Sequence, residues 1–138
     1  MKVLTKTLIK ESEENAVKSG GFSFRELMRR AGSAAADIIM QKYGCRGKKI
    51  TVVCGKGSNG GDGCVIAGIL SECGADVTVV TPLGEPSAEN AAYYYSELEY
   101  VKKKKEFSPG ADIIIDALFG IGLDRPLDLK TSALIEQI

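Results

Sequence analysis

The chain has 138 residues, 44% hydrophobic and 26% charged, with 18 basic and 18 acidic side chains and no histidine. At about 150 residues per domain this is one domain with enough chain for one ordinary core, and its average composition excludes disordered, collagenous and membrane classes. A net charge of zero argues against a protein devoted to phosphate backbones, and no apolar run nears the roughly 18 residues of a membrane span.

The opening MKVLTKTLIKESEENAV interrupts its apolar residues with charge too often for a signal peptide, so the expected compartment is the cytosol. Apolar and charged residues alternate at helical spacing from Val3 to about Lys18, up to Gly20-Gly21. Ser23 and Glu26 form an S-x-x-E capping box. Phe24, Leu27, Met28, Ala31, Ala34, Ala35, Ile38 and Ile39 then recur at three- and four-residue steps. The small stretch AGSAAA inside this helix admits a close neighbour, and Gly44 is its expected stop.

ITVVC, ending at Gly55, reads as a buried parallel strand. Asp62 to Cys73 reads as a helix with Val65, Ile66, Ile69 and Leu70 on one side, and Asp76 to Val80 as a second strand. Ser87 to Lys103 is expected to be a helix with an apolar stripe of Ala91, Ala92, Tyr95, Leu98 and Val101. Its terminal run Lys102 to Lys105 suits a solvated helix end. Asp112 to Asp116 (DIIID) is expected to be another buried strand, and Ser132 to Ile138 begins one more helix. Helix, helix, then β-α-β-α-β predicts a Rossmann-like three-layer α/β/α sandwich with a mainly parallel sheet, preceded by N-terminal helices.

Missing histidine removes Ser-His and Cys-His nucleophilic pairs and most zinc sites. Cys45, Cys54, Cys64 and Cys73 stand nine or ten apart with no C-x-x-C, which suits neither a metal knuckle nor a redox pair. Cys54 and Cys64 lie in apolar segments and read as small buried fillers.

The chemistry is expected at GKGSNGGDG, Gly55 to Gly63, set between a strand and a helix. Gly55-x-Gly57-x-x-Gly60 satisfies a dinucleotide fingerprint, so a phosphate-bearing ligand is the natural inference. The end of the second strand, Val80-Thr81-Pro82-Leu83, carries no acid for an NAD ribose, which weakens a dehydrogenase reading. The loop also lacks the G-K-S/T ending of a triphosphatase. Asp62 is either a helix N-cap or a group that meets a cation or does chemistry. The loop Asp116 to Pro126 would share a crevice with the first if their two strands are neighbours. Asn59 and Asp116 offer hard oxygens suited to a simple cation, and Asp116 is either a ligand or a structural cap. Asp124-Arg125 is either a local surface pair or a phosphate contact.

GKGSNGGDG after one strand, DALFGIGLDRP after a later one, and FRELMRRAGSAAA before both resemble the NAD(P)H-hydrate epimerase family, the YjeF N-terminal domain. The resemblance runs from about Gly21 to Leu127 and makes residues 1–138 a single YjeF N-terminal-like domain. It implies substrate binding by Ser58, Asn59, Gly60, Gly61 and Asp62, and by Gly120, Ile121, Gly122, Leu123, Asp124, Arg125 and Pro126. It also implies a potassium ion held in part by Asn59 and Asp116. The implied reaction interconverts the R and S forms of hydrated NADH or NADPH in cofactor repair. A separate ADP- or ATP-dependent dehydratase then acts on the S form. A homodimer is implied, with neither nucleic acid nor membrane as partner. Relatives that act as protein- or RNA-binding scaffolds make a non-catalytic module of the same fold the alternative. The chain departs from the family pattern at Arg29, where an acid is usual, and at Ile121, where threonine is usual. It also ends at Ile138 before the family's D-x-P-S-G-like loop, which supplies the acid-base aspartate, so the domain is expected to be incomplete and no catalytic residue is assigned. Asp62 is the resident acid-base candidate.

Overall fold

The computed structural model describes residues 4–124 and 126–138. Thr5 caps the first helix, α1 (Lys6–Lys18), and Ser23 caps the second, α2 (Phe24–Tyr43). The Ser23 hydroxyl accepts the Glu26 amide at 3.1 Å, which is half of the expected capping box. Glu26 does not reach back. Its carboxylate instead takes Arg29 and Arg30, each at 2.8 Å, and these hydrogen bonds hold its pKa down at about 2. The hydroxyl therefore carries the cap alone, and Ser23→Ala is expected to cost about 1 kcal/mol in urea denaturation. A loss below about 0.3 kcal/mol would mean that the arginine clasp suffices. Gly44 ends α2 at φ 68, where a side chain would be strained.

Four parallel strands follow. β1 (Lys49–Cys54) lies between β2 (Asp76–Val80) and β4 (Ile113–Ala117), and β3 (Lys102–Lys104) pairs with the far side of β2. The order β3-β2-β1-β4 means that the chain winds one way and then returns to the other side of β1. The strand ending at Cys54 and the DIIID strand are thus neighbours, and the winding reverses between them.

Four elements after β2 depart from expectation. The helix after β2, α4, covers only Glu89–Ser96. Ser96 bonds back to the Tyr93 carbonyl at 2.7 Å, a local competitor of the helical ladder. The lysine run is then not a helix end but the exposed edge strand β3, and charge is what protects an edge from pairing with other chains. Lys102 reaches Asp76 at 2.7 Å, and the Lys103 ammonium stacks 4.4 Å from the Tyr95 ring. DIIID is the opposite edge rather than a buried strand: Ile113, Ile114 and Ile115 are only half-buried, and Asp116 is exposed. The last helix, α5, runs Leu129–Ile135, earlier than expected, because Asp128 accepts the Thr131 amide at 2.7 Å.

One face of the sheet presents Ile50, Val52, Cys54, Val77, Val79 and Ala117 to a helix, α3 (Ser58–Glu72), which brings Cys64, Ala67 and Leu70. Helices α2 and α4 pack outside α3, so that helix is buried nearly all round. Gly32, in the small stretch of α2, admits Val65 so closely that an added Cβ would lie 2.6 Å from it. On the other face Thr51, Thr78 and Val80 line an open pocket of about 220 Å³, with Glu106, Ser108, Pro109, Gly110 and Ala111 along its side. No helix among the described residues is long and apolar enough to cross a membrane.

Candidate functional site

Helix α3 begins at Ser58, four residues before its expected start, so SNGGD is its first turn and not a loop. Gly57 is the N-cap, extended at φ −91 and ψ −165, with no side-chain cap. The glycines are helical because the fold presses on them from outside. A Cβ on Gly60 would collide with the Gly55 carbonyl, and one on Gly55 with the Leu118 carbonyl. On Gly61 it would lie 2.5 Å from Met28 Sδ, and on Gly63 2.6 Å from Ala117 Cβ. Glycine costs a helix about 1 kcal/mol per residue against alanine. Here it lets the helix start sit directly on the ends of β1 and β4, as the Gly55 amide's 2.9 Å bond to the Ala117 carbonyl requires. A Cβ on Gly57 would meet nothing within 4 Å. The first amides of α3 therefore begin without a side-chain acceptor at the carboxyl end of the sheet, where a helix start attracts anions.

The second glycine segment is tied to the first. Asn59 Nδ2 donates to the Phe119 carbonyl at 3.0 Å, and Asn59 Oδ1 lies 3.5 Å from the position of a Cβ on Gly120. Asp116 Oδ1 accepts the Leu118 amide at 2.9 Å, so the cap reading of that residue holds in the structure. Asn59 and Asp116 thus grip the same turn, 116–120, from its two sides. Gly120, Ile121, Gly122, Leu123, Asp124 and Pro126 continue as an exposed segment, and Arg125 lies outside the described residues.

Asp62 is not the N-cap, since that position belongs to Gly57. It stands in the second turn of α3, half-buried, on the side facing α1 and α2. Its pKa is raised to about 6, first by burial and then by the Glu13 carboxylate on α1. No hydrogen bond among the described residues joins Asp62 to the 116–124 segment. Sequence reasoning missed Glu13 and the Phe119 carbonyl. Glu13 is reached only through the packing of α1, and the Phe119 carbonyl is a main-chain group with no residue signature.

The chain as a whole is similar to known proteins. A family model described as YjeF-related protein N-terminus matches residues 25–138. An NAD(P)H-hydrate epimerase from Limosilactobacillus fermentum is 32% identical over 98% of this chain and 67% of its own. A bifunctional NAD(P)H-hydrate repair enzyme from Coxiella burnetii is 36% identical over 94% of this chain and 28% of its own. The crystal structure of yeast ynu0, YNL200c, superposes with a TM-score of 0.85 at 25% identity, covering 99% of this chain and 64% of that one. The chain spans about two thirds of the length of the epimerase and of the yeast protein. With the family model matched over most of its length and the fold shared, the chain belongs to the YjeF-related N-terminus family.

Proposed function

We propose that this chain acts as an NAD(P)H-hydrate epimerase, interconverting the R and S forms of hydrated NADH or NADPH at the crevice between β1 and β4. The observation that carries this reading is the Asn59–Phe119 hydrogen bond. It couples an uncapped helix start, suited to phosphate, to the glycine segment 120–126, at the point where ligands bind in such sheets. In this reading Ser58, Asn59, Gly60, Gly61 and Asp62 meet the substrate from one side through the α3 start. Gly120, Ile121, Gly122, Leu123, Asp124, Arg125 and Pro126 meet it from the other.

The donor chemistry fits potassium. Asn59 spends its amide nitrogen on Phe119, which leaves Oδ1 for a cation, and Asp116 gives Leu118 one oxygen and keeps the other. A bound monovalent ion would offset the charge that phosphate and Asp116 bring to the same turn. Inversion at the hydroxyl-bearing carbon calls for a positioned proton carrier with a pKa near the working pH. Asp62, raised to about 6, is the side chain we assign to it. The proposal extends to the cytosol, to a homodimer, and to a dehydratase acting on the product; the Coxiella relative is named a bifunctional NAD(P)H-hydrate repair enzyme.

The test is conversion of purified R-form hydrated NADPH to the S form, with potassium and against a protein-free control. Conversion should exceed the control and fall when potassium is replaced by choline. Asn59→Ala should reduce it by about 10- to 100-fold, as loss of a ligand-orienting contact does. No conversion with nucleotide still bound would leave a nucleotide-binding module. No conversion and no binding would favour a scaffold.

A further inference from the structure

Two pairs of thiols meet in this fold, and they are not equivalent. Cys54 on β1 and Cys64 on α3 are 0% and 1% exposed beneath the glycine turn. The neighbouring Cys64 thiol and burial push the Cys54 thiol far up, so this pair is inert to reagents in water. Cys45 and Cys73 are different. Cys45 follows the end of α2, Cys73 ends α3, and both are half-buried, within reach of solvent. The Cys45 thiol donates to the Cys73 carbonyl oxygen at 3.6 Å, which places the two residues side by side.

Main-chain bonds hold the two segments side by side. The Gly47 amide donates to the Gly74 carbonyl at 2.9 Å, and the Asp76 amide to the Lys48 carbonyl at 2.8 Å. A thiol that touches its partner's own main chain needs little backbone movement to bring the sulfurs to the roughly 2 Å of a disulfide. The segment between them contains β1, the glycine turn and all of α3, so a link here would close a loop around the part of the chain that carries the candidate site.

We propose that Cys45 and Cys73 form a reversible intramolecular disulfide by exchange with a low-molecular-weight disulfide. The Cys45 thiolate attacks one sulfur of the reagent, forming a mixed disulfide and releasing a first small thiolate. The Cys73 thiolate then attacks the Cys45 sulfur and releases the second. Two protein thiols are oxidised, one disulfide is reduced to two thiols, and the two protein protons go to the leaving thiolates. Burial raises the Cys73 thiol while the nearby Arg46 opposes that rise, so exchange is faster in mildly alkaline solution than at neutrality. In a reducing compartment such a pair is transient and responds to redox state.

The experiment treats the folded full chain with oxidised glutathione, blocks remaining thiols with an alkylating reagent, and maps the peptides by mass spectrometry. A linked Cys45–Cys73 peptide is expected, with Cys54 and Cys64 alkylated only after unfolding. The oxidised chain should melt higher, by a shift on the order of 10 °C, because the link constrains the unfolded chain. Cys45→Ser and Cys73→Ser should each abolish the link and stop at a single glutathione adduct on the remaining cysteine. A wild-type chain that stops at mixed adducts would overturn the proposal. So would one that links Cys54 to Cys64, or that forms the Cys45–Cys73 link only in urea.

Discussion

Gly60→Ala is expected to destabilise the fold by about 3 kcal/mol, whereas Gly57→Ser, three residues away, should change stability by less than about 1 kcal/mol. The added methyl at position 60 meets the carbonyl of Gly55, a main-chain group that cannot rotate away. Helix α3 would have to lift off β1, and the helix preference of alanine over glycine, about 1 kcal/mol, does not offset that. Position 57 is open, extended and already the N-cap, so serine fits there and supplies the side-chain acceptor that α3 lacks. The same serine would occupy helix amides that a phosphate is proposed to use, so Gly57→Ser should bind NADPH more weakly while folding normally. Urea denaturation and nucleotide titration on both variants check this. Tolerance of Gly60→Ala would mean that the helix start is not held against the sheet. Unchanged binding in Gly57→Ser would remove the phosphate from the helix start.

The contrast also explains what the sequence could not disclose. A run of glycines reads as a loop because local propensity disfavours a helix there, and the expected start at Asp62 followed from that propensity. The structure starts the helix at Ser58 because neighbours from β1, β4, α2 and α4 approach the backbone too closely for any side chain. Such contacts are tertiary and leave no local trace. The same holds for Lys102 to Lys105: four lysines after an apolar stripe look like a helix end. The pairing of Lys102–Lys104 with β2 depends on where Leu98 and Val101 anchor the chain against the core. Legible in advance were the features with a local cause. The Ser23 cap, the Gly44 stop, the strands ITVVC and DVTVV, and their parallel arrangement all follow from spacing and turn chemistry.

For the site, the sequence supplied the two glycine segments and the condition under which they would meet, adjacency of their strands. The register of Cys54 with Ala117 meets that condition. It could not supply the bond between them, because the Phe119 carbonyl belongs to the backbone. Nor could it choose among the roles open to Asp62, since the group that perturbs it comes from α1, nearly fifty residues earlier by position in the chain.

Asp62→Asn is expected to make the protein more stable and less active at the same time. The native carboxyl titrates at about 6, against a reference of 3.8 for an unperturbed aspartate. Between those values the native state keeps its proton while the unfolded chain releases it. The unfolded state then binds fewer protons, so stability falls as pH rises from about 4 to 6 and stays low above. The full gap would be worth about 3 kcal/mol, but solvent screens a half-buried carboxylate, and about 1–2 kcal/mol is the expected effect. The asparagine variant has no such penalty. It should exceed the wild type by that amount at pH 7.5 and match it at pH 4, in urea denaturation across the range. Glu13→Gln should recover a smaller part, because burial is the larger cause and Glu13 the second. If Asp62 carries the proton, the asparagine variant should also lose about 10²- to 10⁴-fold in epimerisation with nucleotide binding retained. A variant that gains stability above pH 6 and keeps its rate would leave Asp62 as a buried charge without a part in turnover. A variant with no pH-dependent gain would mean that the carboxyl is solvated in solution.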